Sequence, residues 1–302
     1  MKKLSKTNLK STRRRVKLST AKENKLVSII KKLFRVRLPK DATLEDTQNA
    51  INKIPFKKID LYINNYINNL LKYNKEGFNA VLKSMLSGSS GSRELQKRVD
   101  ESYKSLAQEK RIYYPLMQKF NNNVQLIKNI PQEVVNKLRM EYSEGTAFRG
   151  SDIEEYLESK LGKRARLIIR TESAKVNAAM TEIRAKDLGL NAYIWSTSED
   201  RRVRPSHKIM NGVLVFWDTL LTLDNMSGHA GEYPNCRCIG LPVVSLDDIQ
   251  FPVKVAEGNL TINSKYIKGT HGKGYDVEIV SGAIRVYTKQ EFLKKYGQQF
   301  AA

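Results

Sequence analysis

The chain has 302 residues, of which 40% are hydrophobic, so it is long enough for one large domain or two modest ones. Its net charge is +22, and its two cysteines are too few for a disulfide framework. No run of about 18 apolar residues occurs and no apolar segment follows the basic N-terminus, so we expect neither a membrane span nor a signal peptide.

The positive charge is concentrated at the N-terminus. Residues 1–40 contain ten Lys, five Arg and one Glu, which is an excess of fourteen positive charges. We predict a basic arm here, disordered until bound, that neutralises DNA phosphates without reading sequence. Residues 21–35 could form a basic amphipathic helix within it, and a solvated tail that binds nothing is the alternative. The predicted phosphate contacts are Lys2, Lys3, Lys6, Lys10, Arg13, Arg14, Arg15 and Lys17.

Helical signals follow the arm. Thr43 is predicted to cap a short helix that ends near Ile54, with Asp46 at its third position. A longer helix begins at about Phe56, because apolar residues recur at spacings of three and four. This helix is predicted to be weakened at Gly77 and to end before a turn or hinge. The predicted turn is Ser87–Ser92.

More helices precede a change of pattern. Ser151 with Glu154 predicts a capping box for a helix that Gly162 ends. A long helix over Lys163–Leu188 then ends at Gly189. Helical periodicity also predicts Arg93–Asn121, kinked at Pro115, and Gln132–Tyr142.

After Gly189 the alternation of apolar and polar residues predicts strands. The predicted strands are Ala192–Thr197, Val213–Trp217 and Ile239–Val244. Two hairpins are predicted, Val253–Ile262 with its turn at Glu257-Gly258-Asn259 and Tyr275–Thr288 with its turn at Ser281-Gly282, before a last helix over Lys289–Gln298. The fold class is therefore α+β: a largely helical N-terminal part followed by a small mixed α+β domain with short antiparallel strands.

The chemically distinctive residues lie between Trp195 and Cys238. The only two cysteines, Cys236 and Cys238, stand one residue apart, and two of the three histidines, His207 and His229, precede them. Thiolate sulfur and imidazole nitrogen are ligands that Zn²⁺ accepts in a tetrahedral site. We predict these four side chains as candidate ligands of a structural zinc ion. The alternative is that the cysteines pack as small apolar residues and His207 hydrogen-bonds within its loop.

Catalysis is not expected from this segment. Glu199, Asp200 and Glu232 are available as carboxylate bases for a hydrolytic metal, and a Cys paired with His207 is a conceivable nucleophile. However, the sequence contains no H-E-x-x-H motif, no phosphate-binding Gly loop and no nucleophile elbow. Trp195 and Trp217 are predicted to be core anchors.

The same segment resembles the phage minor head proteins typified by the F protein of phage Mu, the head-morphogenesis family. The resemblance covers roughly residues 150–245, and an Arg-Thr-Glu run at Arg170–Glu172 also fits it. Many relatives carry a Cys pair where this chain has Val203 to His207, so the chain departs from the family there. The residues that carry the resemblance are Trp195, Asp200, Arg202, His207, Gly212, Pro234, Cys236, Arg237 and Cys238.

The resemblance implies a low-copy component of the procapsid or virion that lies in the capsid interior and in the host cytoplasm during assembly. The implied partners are the portal protein, capsid or scaffold proteins, and double-stranded DNA. The alternative is a metal-dependent nuclease or transferase carried in the phage particle. The predicted division of the chain is a basic arm (1–40), a helical region (41–150), a Mu F-like head-morphogenesis domain (151–250) and a β-hairpin-rich C-terminal extension (251–302).

Overall fold

The computed structural model of the chain describes residues 20–86, 97, 114, 116, 118, 120, 122–123, 125–143, 145–266 and 274–300. The eight predicted phosphate contacts lie outside these residues, as do the predicted turn at Ser87–Ser92 and most of the predicted helix Arg93–Asn121. The helices are α1 (Thr20–Leu33), α2 (Leu44–Asn52), α3 (Phe56–Leu86), α4 (Ile130–Glu141), α5 (Gly150–Asp187), α6 (Pro205–Ile209) and α7 (Lys289–Tyr296).

The strands are β1 (Asp41–Ala42), β2 (Phe148–Arg149), β3 (Ala192–Ser196), β4 (Val213–Phe216), β5 (Leu221–Leu223), β6 (Met226–Ser227), β7 (Ile239–Pro242), β8 (Val253–Tyr266) and β9 (Tyr275–Tyr287). The described residues form two compact units. Those within Leu18–Leu71 and Tyr114–Ser173 make up a helical unit, and those within Lys72–Tyr113 and Ala174–Ala302 make up a sheet unit. The α+β fold class is confirmed, and the four-part division of the chain stays a prediction.

Local signals place the helices of the helical unit. The Thr43 hydroxyl oxygen accepts a hydrogen bond from the Asp46 backbone N–H, so the predicted N-cap is confirmed, and Asp46 accepts one from the Thr43 backbone N–H at 2.9 Å, which completes a capping box. Apolar residues on one face of α3 are buried: Ile59, Ile63, Ile67 and Leu70. The helix continues through Gly77 without a break. Among the described helices, none is both long and apolar enough to cross a membrane.

One predicted boundary is wrong, because α5 runs from Gly150 to Asp187 without a break. The helix passes through Gly162, where a Cβ would stand 3.3 Å from the side chain of Lys31, which is closer than most side chains pack. Glu154 does not close a capping box on its own helix; its carboxylate instead accepts a hydrogen bond from the Leu38 backbone N–H at 2.7 Å. A glycine inside a helix costs about 1 kcal/mol, which the length and packing of α5 can absorb.

The sheet unit contains one seven-stranded mixed sheet. Strand β3 pairs antiparallel with β4 on one side and with β7 on the other. Strands β4 and β5 both pair parallel with β8 at different points along it, and β6 pairs with β5. The predicted strands at Ala192, Val213 and Ile239 are confirmed, as is the final helix, α7. The short strands β5 and β6 were not predicted.

The two predicted hairpins are wrong. Strands β8 and β9 are each continuous and pair with one another antiparallel from Val253 to Tyr266. The register shifts between Glu257 and Thr261, so the glycines that suggested turns lie at a β-bulge. Gly258 and Gly282 have φ angles of +66° and +69°, which is why glycine occupies both positions.

The bulge also directs Glu257 toward α7. The Glu257 carboxylate accepts hydrogen bonds from the Lys295 ammonium and from the hydroxyls of Tyr287 and Tyr296. Burial alone would raise the pKa of Glu257, but these three donors outweigh it and lower that pKa to about 2. A charged group therefore fixes the last helix to the sheet.

Alternation along β3 and β4 builds a core on both faces of the sheet. One face buries Tyr193, Trp195 and Trp217 with residues of α3 and α5, so the predicted role of both tryptophans as core anchors is confirmed. The opposite face buries Ala192 and Leu214 with Phe292 of α7. This two-sided burial holds the ends of β3, β4 and β7 in fixed positions.

The bulge glycines provide a matched test of the fold. A Cβ at Gly282 would stand 2.7 Å from the Glu257 carbonyl oxygen and 2.8 Å from the Leu260 Cα, whereas at Gly258 the nearest atom is 3.7 Å away. Both substitutions to Ala meet the left-handed backbone, which costs roughly 1–2 kcal/mol. We expect Gly282→Ala to lower the free energy of unfolding clearly more than Gly258→Ala, measured by urea denaturation. Equal losses would contradict the bulge geometry.

Candidate metal centre

The distinctive residues between Trp195 and Cys238, called the motif from here on, come together at one edge of the sheet. Strand β3 ends there, and β4 and β7 begin there. Trp195 lies on β3, and its carbonyl oxygen accepts a hydrogen bond from the Gly212 backbone N–H at 2.8 Å. The loop after β3 carries Asp200, and α6 carries His207. The Cys-Arg-Cys run immediately precedes β7, which is paired with β3. Sheet pairing therefore brings together residues that are about forty positions apart in sequence.

An ion pair joins the two ends of this segment. The Asp200 carboxylate accepts hydrogen bonds from both terminal nitrogens of Arg237, one of them at 2.7 Å. Asp200 also accepts a hydrogen bond from the Arg202 backbone N–H at 2.9 Å. These donors, Arg237 above all, hold the pKa of Asp200 well below its usual value, so the carboxylate stays charged. The bidentate geometry orients the arginine between the two cysteines.

His207 is positioned by the short helix α6. Pro205 occupies the first turn of that helix, where it needs no backbone N–H partner. The Ser206 hydroxyl donates to the Asp224 carboxylate at 2.6 Å, and Asp224 also accepts from the Ser264 backbone N–H at 2.8 Å. The α6 helix is thereby tied to β8. The His207 ring packs against the rings of Trp195 and Tyr233, with edge contacts to both.

The two cysteines are held by the preceding turn. The Cys236 backbone N–H donates to the Tyr233 carbonyl oxygen at 3.0 Å, and the Tyr233 hydroxyl donates to the Gly228 carbonyl oxygen at 2.6 Å. Arg204, which precedes α6, donates to the Pro234 carbonyl oxygen at 2.9 Å. The loop that carries His207 and the turn that carries the cysteines are therefore joined directly.

Three of the four predicted ligands converge. The Nδ1 atom of His207 lies 3.6 Å from Cys236 Sγ and 3.5 Å from Cys238 Sγ. The three donor atoms all lie within 4.8 Å of one another, and all three side chains are at least 95% buried. Neither cysteine forms a disulfide in the structure. The group could hold a metal ion.

The environment of the Cys236 thiol favours its ionisation. The side-chain hydrogen bond with Cys238 lowers the pKa of the Cys236 thiol far below its usual value. Burial opposes that shift and His207 adds to it. Thiolate is the form of cysteine that binds metals, so the contacts around Cys236 favour the form of this side chain that binds a metal.

His229 does not join this group. Its Nδ1 atom lies 3.0 Å from the Tyr193 hydroxyl, and its ring has edge contacts with Tyr193 and Trp217. Burial lowers the pKa of His229, so the ring is neutral near pH 7. The prediction of four ligands is thus reduced to three converging donors among the described residues.

The carboxylates considered as catalytic bases are engaged elsewhere. Glu199 accepts a hydrogen bond from the Asn211 side chain, and Glu232 accepts one from the His229 backbone N–H at 2.7 Å. The sequence reading missed the anchors of α6, Ser206 and Asp224. The sequence did contain a signal for the turn at Asp224, because Asp224-Asn225 stands between two short alternating runs. In the structure both residues adopt positive φ, as such turn residues can.

The contribution of the Asp200–Arg237 ion pair can be tested by measuring the stability of a variant. We expect Asp200→Asn to lower the free energy of unfolding by about 1 kcal/mol, at the low end for a charge-assisted bond because Asp200 is 37% exposed. The pKa of Asp200 is lowered in the folded state, so its contribution is present above the unfolded value of roughly 4 and is lost as the pH falls below it. Urea denaturation between pH 7 and pH 3 measures both effects.

The matched control is Asp218→Asn. Asp218 also faces a lysine, Lys186 at 3.4 Å, but its side chain is 94% exposed. We expect this variant to unfold like the parent chain at every pH. An Asp200→Asn variant that matched the control would contradict a structural role for the pair with Arg237.

Comparison with known proteins places these residues in a family. Residues 79–240 match the family described as "Phage Mu protein F like protein". An uncharacterized protein of Haemophilus influenzae is 35% identical over 130 residues, which cover 40% of this chain and 28% of that protein. The chain thus spans less than a third of the length of this relative. No solved structure matches the chain.

The family match contains the motif from Trp195 to Cys238 together with much of the helical sequence before it. It extends over more than half of the 302 residues, and strands β3 and β4 and the Asp200–Arg237 bond lie inside it. On this evidence the chain belongs to the family of phage Mu F-like proteins.

Proposed function

We propose that this protein is a phage head-morphogenesis protein, a minor component of the head that docks on the portal or shell while its basic N-terminal arm holds DNA. The observation that carries the proposal is the family match over residues 79–240. On this proposal the protein lies in the capsid interior, and in the host cytoplasm during assembly. Portal protein, capsid or scaffold proteins and double-stranded DNA are its partners.

The distribution of charge supports the DNA-binding part of the proposal. Residues 1–40 carry fourteen of the chain's 22 net positive charges, so the remaining 262 residues carry only eight. Lysines and arginines that neutralise phosphates release condensed counterions, which makes such binding strong at low salt and independent of sequence. An arm of this composition suits packaged DNA, whose sequence varies along its length.

The buried motif supports a role without catalysis. A hydrolytic metal site keeps a ligand position open to substrate. His207, Cys236 and Cys238 are each at least 95% buried, so a nucleic acid strand could not reach them without unfolding the loop. We therefore propose a scaffold role for this segment and disfavour the alternative of a metal-dependent nuclease or transferase.

DNA binding by the arm predicts a change in salt dependence. We expect replacement of the eight predicted arm contacts, Lys2, Lys3, Lys6, Lys10, Arg13, Arg14, Arg15 and Lys17, by Gln to weaken binding to duplex DNA. The plot of log affinity against log salt should also lose about 0.9 units of slope for each phosphate contact removed. Fluorescence anisotropy at several salt concentrations measures both.

The control for this experiment keeps the same net charge change. Eight exposed basic residues of the described chain are replaced by Gln instead: Lys53, Lys57, Lys58, Lys72, Lys163, Arg166, Arg201 and Lys208. We expect this variant to retain most of the salt slope, because its charges are dispersed. If both variants lost the same slope, binding would depend on net charge and not on the arm.

Docking on the portal can be tested separately from DNA binding by the arm. We expect the full chain to be recovered with the tagged portal protein of the phage or prophage that encodes it, after nuclease treatment that removes bridging DNA. A chain that lacks residues 1–19 should be recovered equally well, because docking is assigned to the folded part. Recovery that required the arm, or no recovery of either chain, would count against the proposed docking.

A further inference from the structure

We propose that His207 Nδ1, Cys236 Sγ and Cys238 Sγ bind one Zn²⁺ ion that has a structural role. This site does not depend on the proposed role in head assembly. It would bind zinc equally in a protein with another function, so its test and the tests of DNA or portal binding have separate outcomes.

The distances between the donor atoms fit a tetrahedral zinc ion. With Zn–S bonds of about 2.3 Å and Zn–N bonds of about 2.0 Å, a nitrogen and a sulfur on neighbouring corners stand roughly 3.5 Å apart. The observed separations from His207 Nδ1 are 3.5 Å to Cys238 Sγ and 3.6 Å to Cys236 Sγ. Both nitrogen–sulfur separations thus match neighbouring corners of such a site, the two sulfurs lie within 4.8 Å of one another, and the fourth ligand comes from outside this group.

Hydrogen bonding among the two thiols and the imidazole is the alternative account of this arrangement, and the metal content of the protein distinguishes the two. The neutral imidazole offers one lone pair at Nδ1, and two sulfurs are directed at it. One S–H···N bond can use that lone pair, and the second thiol can hydrogen-bond to the other sulfur. A cation shared among the three atoms satisfies all of them at once. Two thiol protons leave when it binds, because cysteine binds metals as thiolate.

The chemistry of the donor set selects the ion. Two sulfurs and an imidazole nitrogen favour a soft or borderline metal, whereas Mg²⁺ and Ca²⁺ require oxygen ligands. Zn²⁺ has no redox chemistry and accepts a tetrahedron of S and N ligands. The ring contacts with Trp195 and Tyr233 hold the Nδ1 atom of His207 facing the sulfurs.

The ion would join two parts of the chain that lie far apart in sequence but pack in one buried cluster. His207 belongs to α6, whereas the cysteines follow a turn that is 29 residues further on. The intervening segment contains only the short strands β4, β5 and β6. A metal that joins its two ends restricts the unfolded chain in the way that a cross-link does, so it stabilises the loop without requiring a larger core.

The first experiment measures zinc on the full chain as purified. We expect about one zinc per chain by elemental analysis, and native mass spectrometry should show a chelator-sensitive mass of one zinc ion minus two protons. Removal of the metal should lower the melting temperature, and added zinc should restore it. Metal-free protein that gains no zinc on titration, or a Cys236–Cys238 disulfide in the purified chain, would overturn the proposal.

Substitution of each proposed ligand tests which side chains bind the zinc ion. We expect Cys236→Ser, Cys238→Ser and His207→Gln each to lower zinc affinity by more than the ~10- to 100-fold that loss of a supporting residue costs. His229→Gln is the matched control, because His229 was an equal candidate by sequence but contacts Tyr193. It should retain one zinc with unchanged affinity. Zinc loss in the His229 variant together with retention in the His207 variant would reverse the assignment.

Cobalt provides a readout that survives a partial loss of stability. Co²⁺ bound by the parent chain should give a tetrahedral visible spectrum and a near-ultraviolet band from two thiolates. That band should fall to roughly half in each single serine variant and persist in His207→Gln. A band that is unchanged in both serine variants would show that the metal lies elsewhere.

Discussion

The position of the motif residues depends on one constraint: the segment between β3 and β7 is held at both ends by strands that pair with each other. Strand β3 precedes the loop and β7 follows it, and the two strands pair directly. The Asp200–Arg237 bond then fixes the loop's entrance to its exit across 37 positions. Because the cysteines flank Arg237, this bond also sets where the sulfurs lie. His207 can meet them only because α6 is anchored separately through Ser206 and Asp224.

The arrangement explains why these residue types are interspersed along the motif. Tryptophan, histidine and tyrosine supply ring contacts on the buried face of the sheet, and Asp200 with Arg237 supplies the charged pair at its edge. Each contact by itself is worth little. Together they place two sulfurs and one nitrogen at the separations of a metal site, although no long helix or strand runs through the loop. Function at such a site depends on the geometry of the whole loop.

Sequence reasoning succeeded where a local signal sufficed. The capping box at Thr43 and the apolar spacing of α3 fix those helices without reference to the rest of the chain. It failed where tertiary contacts override the local signal. Gly162 resembles a helix end, but α5 continues through it, and Gly258 and Gly282 resemble turn residues although they lie at a bulge. Glycine marks an unusual backbone position, and the sequence does not say which kind.

The candidate site shows the same limit. Residue type and spacing identified His207, Cys236 and Cys238, because thiolate and imidazole in one short segment are unusual in a chain with two cysteines. The same reasoning accepted His229, which differs from His207 only in its neighbours. A histidine binds a metal when its ring nitrogen has no better partner, and the Tyr193 hydroxyl is such a partner for His229. Tyr193 stands on β3, so the folding of the sheet brings its hydroxyl to His229. The spacing of residues along the chain does not reveal such a contact.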